Sequence, residues 1–226
     1  MQVEVPLEDL DGLQLLEHFG AAVIQGPQIA GLKLVVLGVF PLVYRFGKGH
    51  WRHDREEVPA GGMTGRGVHL VDAMQYLAGP IRSVMAQTFR LAQDFGVDDT
   101  TSMLFQFHGG ATGYLGTVIA TAETWRLQAL GSSGWAELGG IEHTTTWQLK
   151  TCSFDPQNIP RKLEPRVQSF PETSTERSEL EHFARAAMDR RALVVPGSDE
   201  VQNAAVLEAI LGSAAKGVRQ EIAASK

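Results

Sequence analysis

Thr101-Ser102-Met103-Leu104-Phe105-Gln106-Phe107-His108-Gly109-Gly110-Ala111-Thr112-Gly113-Tyr114-Leu115-Gly116-Thr117-Val118-Ile119 is the stretch that decides the fold. Two runs rich in β-branched and aromatic residues flank a Gly-Gly turn. Met103, Phe105 and Phe107 alternate with Leu104, Gln106 and His108, which is the period of a strand. Consecutive strands joined by a tight turn run antiparallel. The same pattern continues outward, with segments 82–92, 125–131, 135–138 and 143–151 reading as strands and Gly131-Ser132-Ser133-Gly134 as a second turn. This predicts a meander rather than an alternation of strands and crossover helices.

Upstream, Leu32–Phe40 reads as a buried strand, and Leu7, Leu10, Leu13, Leu16 and Phe19 recur at helical spacing with Gly20 as a stop. A helix is predicted over about 67–78, ended by Gly79-Pro80. Residues 155–175 are proline-rich, with one short strand at 166–170. Two helices follow. One spans about 175–190, with Thr173 and Glu176 at capping-box spacing and Leu180, Phe183, Ala187 and Met188 as its apolar stripe. The other spans about 199–216, capped by Ser198 and ended by Gly217, with Val201, Ala205, Leu207 and Ile210 toward the core. The expected class is α+β: a mainly antiparallel open sheet of about six strands with helices on one face.

The chemistry concentrates in Gly47-Lys48-Gly49-His50-Trp51-Arg52-His53-Asp54 and in Ala60-Gly61-Gly62-Met63-Thr64-Gly65-Arg66-Gly67-Val68-His69-Leu70-Val71-Asp72. His69 and Asp72 lie three apart on a helix, so the carboxylate can orient the imidazole. It can equally pair with a base such as Arg82. Gly61, Gly62, Gly65 and Gly67 suit a loop where a ligand or another backbone approaches closely. Trp51 and Arg52 offer a ring for C–H groups and a guanidinium for hydroxyls or a carboxylate, or are a tryptophan packed under the loop beside a solvated arginine. His50, Gly62, Met63 and Thr64 complete the candidate substrate surface. Lys48, between two glycines, reads as exposed. His50, His53, His69 and Asp72 could be drawn as zinc ligands, but no spacing makes them converge, and no metal is expected. Tyr114, Trp125, Arg126 and Trp135 read as sheet-face or interface residues.

The formal net charge of −6 and the absence of a basic stripe argue against a nucleic-acid partner. The single cysteine, Cys152, excludes an internal disulfide and reads as a half-buried strand residue. The longest apolar run, near Leu32 to Val43, is broken by Gly38 and Pro41, so no membrane span is expected. With no leader at Met1, the expected location is cytoplasmic.

Trp51-Arg52, Gly61-Gly62, Gly67-Val68-His69-Leu70-Val71-Asp72, Asp98-Asp99-Thr100 and Val194-Val195-Pro196-Gly197, in that order and joined by the meander, resemble the C-terminal domain of the Gfo/Idh/MocA oxidoreductases over roughly 45–222. The resemblance implies an NAD(P)-dependent enzyme acting on a sugar or polyol, with a Rossmann domain for the cofactor and an α+β domain for substrate and oligomer contacts. It implies His69 as the residue that takes or polarises the hydroxyl proton, with Asp72 beside it. The family aspartate falls at Gly65, and the family Glu-Lys-Pro segment falls at Glu4-Val5-Pro6, with valine in place of lysine. The sequence has no Gly-x-Gly-x-x-Gly turn between a strand and a helix, so no dinucleotide-binding domain and no cofactor for this chain alone are expected. Residues 1–45 are expected to be a remnant linker segment, helix plus strand, adjoining the domain formed by 46–226. The implied function is that of a truncated sugar or polyol oxidoreductase unable to catalyse alone. The alternative is a non-catalytic sugar-binding or self-associating scaffold. The open sheet face makes a homo-oligomer the expected assembly.

Overall fold

A computed structural model describes residues 32–39, 46–140, 148–158, 160–170, 174–191 and 197–223. The N-terminal helix pattern, Val5, Gly20, Thr173, Val194, Val195, Pro196 and the first half of the 143–151 segment lie outside the described residues.

The nine described strands are β1 (Lys33–Val39), β2 (Ile81–Phe89), β3 (Thr100–Phe107), β4 (Thr112–Val118), β5 (Thr124–Gly131), β6 (Gly134–Gly140), β7 (Gln148–Ser153), β8 (Arg166–Ser169) and β9 (Gln220–Glu221). They form one sheet in the order β8-β7-β6-β5-β1-β4-β3-β2-β9. The meander is antiparallel throughout, as the hairpin turns require. The expected count of about six strands is corrected to nine among the described residues. β1 enters the centre of the sheet and pairs antiparallel with β5 but parallel with β4. Short strands β8 and β9 close the two edges.

The alternation in β3 is observed as read. Met103, Phe105 and Phe107 are buried, while Leu104 and Gln106 are exposed. Leu34 and Val36 of β1, Leu115 of β4 and Leu127 of β5 join the same core. Two helices cover it, α1 (Val68–Ala78) and α3 (Gly197–Lys216). Leu70, Val71, Met74, Leu77 and Ala78 form the buried stripe of α1. The helix ends where Gly79, at φ 78°, donates its N–H to the Gln75 carbonyl.

The buried face of α3 differs from the apolar stripe expected for it. Val206 and Ile210 are buried, but so are Gln202 and Ser213, whereas Val201 is exposed. The reason lies in the edge of β2. β9 pairs with β2 only at Ser83 and Val84, leaving the rest of that backbone edge to be satisfied otherwise. The Ala86 N–H donates to Ser213 Oγ at 2.8 Å, and Gln202 Nε2 donates to the Ile81 carbonyl at 3.4 Å. Ser213 Oγ itself donates to the Val218 carbonyl.

α2 (Thr175–Asp189) is also corrected. Leu180, Phe183, Ala187 and Met188 are exposed, and Ala186 is its buried residue. Ser174 caps the helix by accepting the Arg177 N–H, and the Arg177–Glu181–Arg185 pairs run along its surface. Cys152 is buried within β7. No described helix is long and apolar enough to cross a membrane.

Candidate functional site

The glycine-rich loop and turn pack at the end of the sheet where β4 finishes, against Asp98 and Ile119, while Asp72 lies against α3. A loop over 46–62 leads into a π-helical turn, Met63–Gly67, and then into α1. The loop is pinned from several sides. Val58 packs with Val97 and Ile119. His53 is buried, its Nε2 lies 3.0 Å from the Phe46 carbonyl oxygen, and its ring meets Phe95 edge-on at 5.3 Å. Arg55 pairs with Asp98.

The glycines serve this packing. A Cβ on Gly61, which sits at φ 55°, would lie 2.5 Å from the Asp98 carbonyl oxygen. On Gly62 it would lie 2.6 Å from Ile119 Cγ2, and on Gly67 2.3 Å from Met63 Sδ. Their close approaches are therefore to the protein's own atoms. Gly65 is different: it is exposed, with open space around it. Met63 is fully buried under the turn it begins. Thr64 Oγ1 accepts the Ala60 N–H at 3.0 Å, which fixes the entry to the turn.

The outer side of the loop carries a stack. His50 lies over Phe46 at 4.3 Å and beside Trp51 at 5.8 Å. The Arg52 guanidinium lies 4.2 Å from the Trp51 ring and 4.8 Å from the Phe46 ring. The Arg52 N–H donates to His50 Nδ1, so the imidazole also caps the short 3₁₀ turn Trp51–His53. Trp51 remains 53% exposed. Lys48 is exposed, as expected, with its Nζ 5.2 Å from the Phe95 ring.

His69 is exposed on the first turn of α1. Asp72 Oδ1 accepts a 2.7 Å hydrogen bond from Asn203 Nδ2, and Asn203 Oδ1 accepts one of equal length from Gln75 Nε2. Asp72 thereby ties α1 to α3, while Arg82 pairs with Glu221. Among the described residues no three His, Cys, Asp or Glu side chains converge as metal ligands.

Asp99 is the residue that sequence reasoning noticed without a role. It is buried, and its carboxylate accepts N–H groups from Leu91, Ala92 and Gln93 and the Thr100 hydroxyl. It holds the loop between β2 and β3, on which the 46–62 loop rests. Burial pushes its pKa up, but the Leu91 and Ala92 N–H groups, the Thr100 hydroxyl and the Gln93 N–H outweigh burial and hold it below the ordinary carboxylate value. A depressed folded-state pKa stabilises the fold above the unfolded value of about 3.9, and that contribution disappears as pH falls through the folded pKa. Asp99→Asn should cost about 1–3 kcal/mol at pH 7 and flatten the acid limb of the stability curve in thermal melts. An unchanged acid limb would show that another group governs it.

Residues 37–137 match the GFO/IDH/MocA C-terminal domain family. The stretch from β1 into β6 is thus similar to a Gfo/Idh/MocA C-terminal domain. No curated protein sequence matches it. Three solved structures share the fold. An NAD-binding oxidoreductase from Klebsiella pneumoniae aligns at TM-score 0.76 and 16% identity, covering 93% of this chain and 62% of that one. An aldose-aldose oxidoreductase from Caulobacter crescentus, complexed with glycerol, aligns at 0.70 and 22%, covering 93% and 59%. Levoglucosan dehydrogenase in complex with NADH and levoglucosan aligns at 0.71 and 17%, covering 86% and 60%. The chain thus spans about three fifths of the length of these structures.

Proposed function

We propose that this chain forms the substrate side of an oxidoreductase that acts on a sugar or polyol. The observation that supports the reading best is the solvent-facing Trp51–Arg52 stack on the loop that leads to His69, on a Gfo/Idh/MocA domain. An aromatic face matches sugar C–H groups, and a guanidinium edge matches their oxygens. An imidazole on the opening turn of α1 can accept a hydroxyl proton. His69 takes that role in this reading, on a helix that Asp72 ties to α3 through Asn203.

The described residues do not fit the nicotinamide dinucleotide that the family implies. Pyrophosphate binding needs glycines whose missing side chains leave room for phosphate at a helix start. Here Gly61, Gly62 and Gly67 are closed by Asp98, Ile119 and Met63. In this reading the described residues meet the sugar, and the packed loop glycines do not serve as a pyrophosphate turn. Calorimetry should show saturable binding of a sugar or polyol, lost in His69→Ala at unchanged melting temperature, and no low-micromolar binding of NADH or NADPH. Tight nicotinamide binding, or no response to any sugar at millimolar concentration, would contradict the reading.

A specific observation favours self-association beside this function. Opposite the helices, the row Leu104–Tyr114–Val35 crosses the sheet, flanked by Gln128, Glu137 and Lys150. Leu104 is 61% exposed. A second copy laid face to face would bury this row. Sedimentation at tens of micromolar should show a dimer, and Leu104→Lys should yield monomers. A monomeric parent protein would refute it.

A further inference from the structure

The Arg52 guanidinium is the unusual charge of the site. Arg55 pairs with Asp98, Arg82 with Glu221, and Arg126 with Glu137. Arg52 has no carboxylate partner among the described residues. Its contacts are the two rings, Trp51 at 4.2 Å and Phe46 at 4.8 Å. The rings lie against the cation and displace water there, while its side-chain N–H groups make no hydrogen bond among the described residues. The guanidinium fork suits a planar carboxylate, which accepts two parallel hydrogen bonds. The backbone around it is fixed by the Arg52 N–H bond to His50 Nδ1 and by buried His53, so the fork is held in place before a ligand arrives. The surrounding chain is acidic overall, which gives an unpaired cation here no role in general anion attraction.

We propose that the stack selects a carboxylate-bearing sugar, an aldonate or a uronate, over a neutral one. The Trp51 ring covers the C–H face, and the Arg52 fork takes the carboxylate. This rests on the sugar or polyol reading above and names the substrate class for the same site.

The experiment is a calorimetric titration of the full chain with D-gluconate, D-glucuronate, D-glucose and glycerol, repeated for Arg52→Gln. The variant keeps the length and planarity of the side chain and removes its charge, and a thermal melt checks its fold. The sugar acids should bind about tenfold or more tighter than the neutral sugars, with a preference that shrinks as salt is raised. Arg52→Gln should erase that preference, bringing the sugar acids down to the affinity of the neutral sugars. Equal affinity for acids and neutral sugars, or a preference that survives in the variant, would overturn the carboxylate assignment and leave the sugar reading standing. Binding of neither class would overturn both.

Discussion

Gly61→Ala should destabilise the protein by about 3 kcal/mol, combining the cost of a left-handed residue with that of overpacking. The backbone at Gly61 sits at φ 55°, and the added Cβ would meet the Asp98 carbonyl oxygen at 2.5 Å. That oxygen belongs to a backbone segment held by the buried Asp99 network, so it cannot move aside cheaply. Gly65→Ala is the internal control, because nothing lies within 4 Å of its missing side chain. It should change stability by no more than about 0.5 kcal/mol. Urea denaturation of the two variants separates a packing glycine from a ligand-approach glycine. Equal effects would contradict the packing account.

Met63→Ala should be the most damaging change in the turn before α1. Met63 is fully buried, lies against Gly67 and belongs to the main core. Removing a buried methionine side chain costs about 2–5 kcal/mol through lost burial and the cavity left behind. Any loss of sugar binding should follow loss of folded protein, with the affinity of the remaining folded fraction unchanged. A stable variant with weakened binding would return Met63 to the substrate surface.

The sheet was legible because its strands alternate. Met103, Phe105 and Phe107 face the core as their spacing predicts, and tight turns force their neighbours antiparallel. What escaped the sequence was long-range. β1 reads as a buried strand, but nothing local says that it slots between β4 and β5 with one parallel partner. β8 reads as a strand at 166–170, but it is exposed along its whole length and carries no pattern that says which edge of the sheet it takes. On α3, Gln202 and Ser213 sit on the core side because an unpaired strand edge needs their hydrogen bonds. Hydrophobic periodicity is blind to that need. On α2 the opposite happened, and an apolar stripe at ideal spacing stayed exposed.

The candidate site was legible as a place rather than as a set of roles. The glycines announced a close approach, but sequence alone could not say whose atoms approach. Asp98, Ile119 and Met63 supply that answer from the end of the sheet and from the turn itself. His69 and Asp72 share a helix as their spacing requires, yet Asp72 bonds Asn203, more than a hundred residues away in the chain. The Phe46–His50–Trp51–Arg52 stack is local, its members within seven positions of one another, but no sequence pattern marks Phe46 as part of it.

The central claim is that a sugar binds on the Trp51 side of this loop. The chain has four tryptophans, Trp51, Trp125, Trp135 and Trp147, so its four indole N–H signals can be followed separately by NMR as sugar is added. The account predicts a saturable shift of the Trp51 signal with Trp125 and Trp135 still. Movement of Trp125 or Trp135 without Trp51, or no movement at saturating sugar, would contradict it.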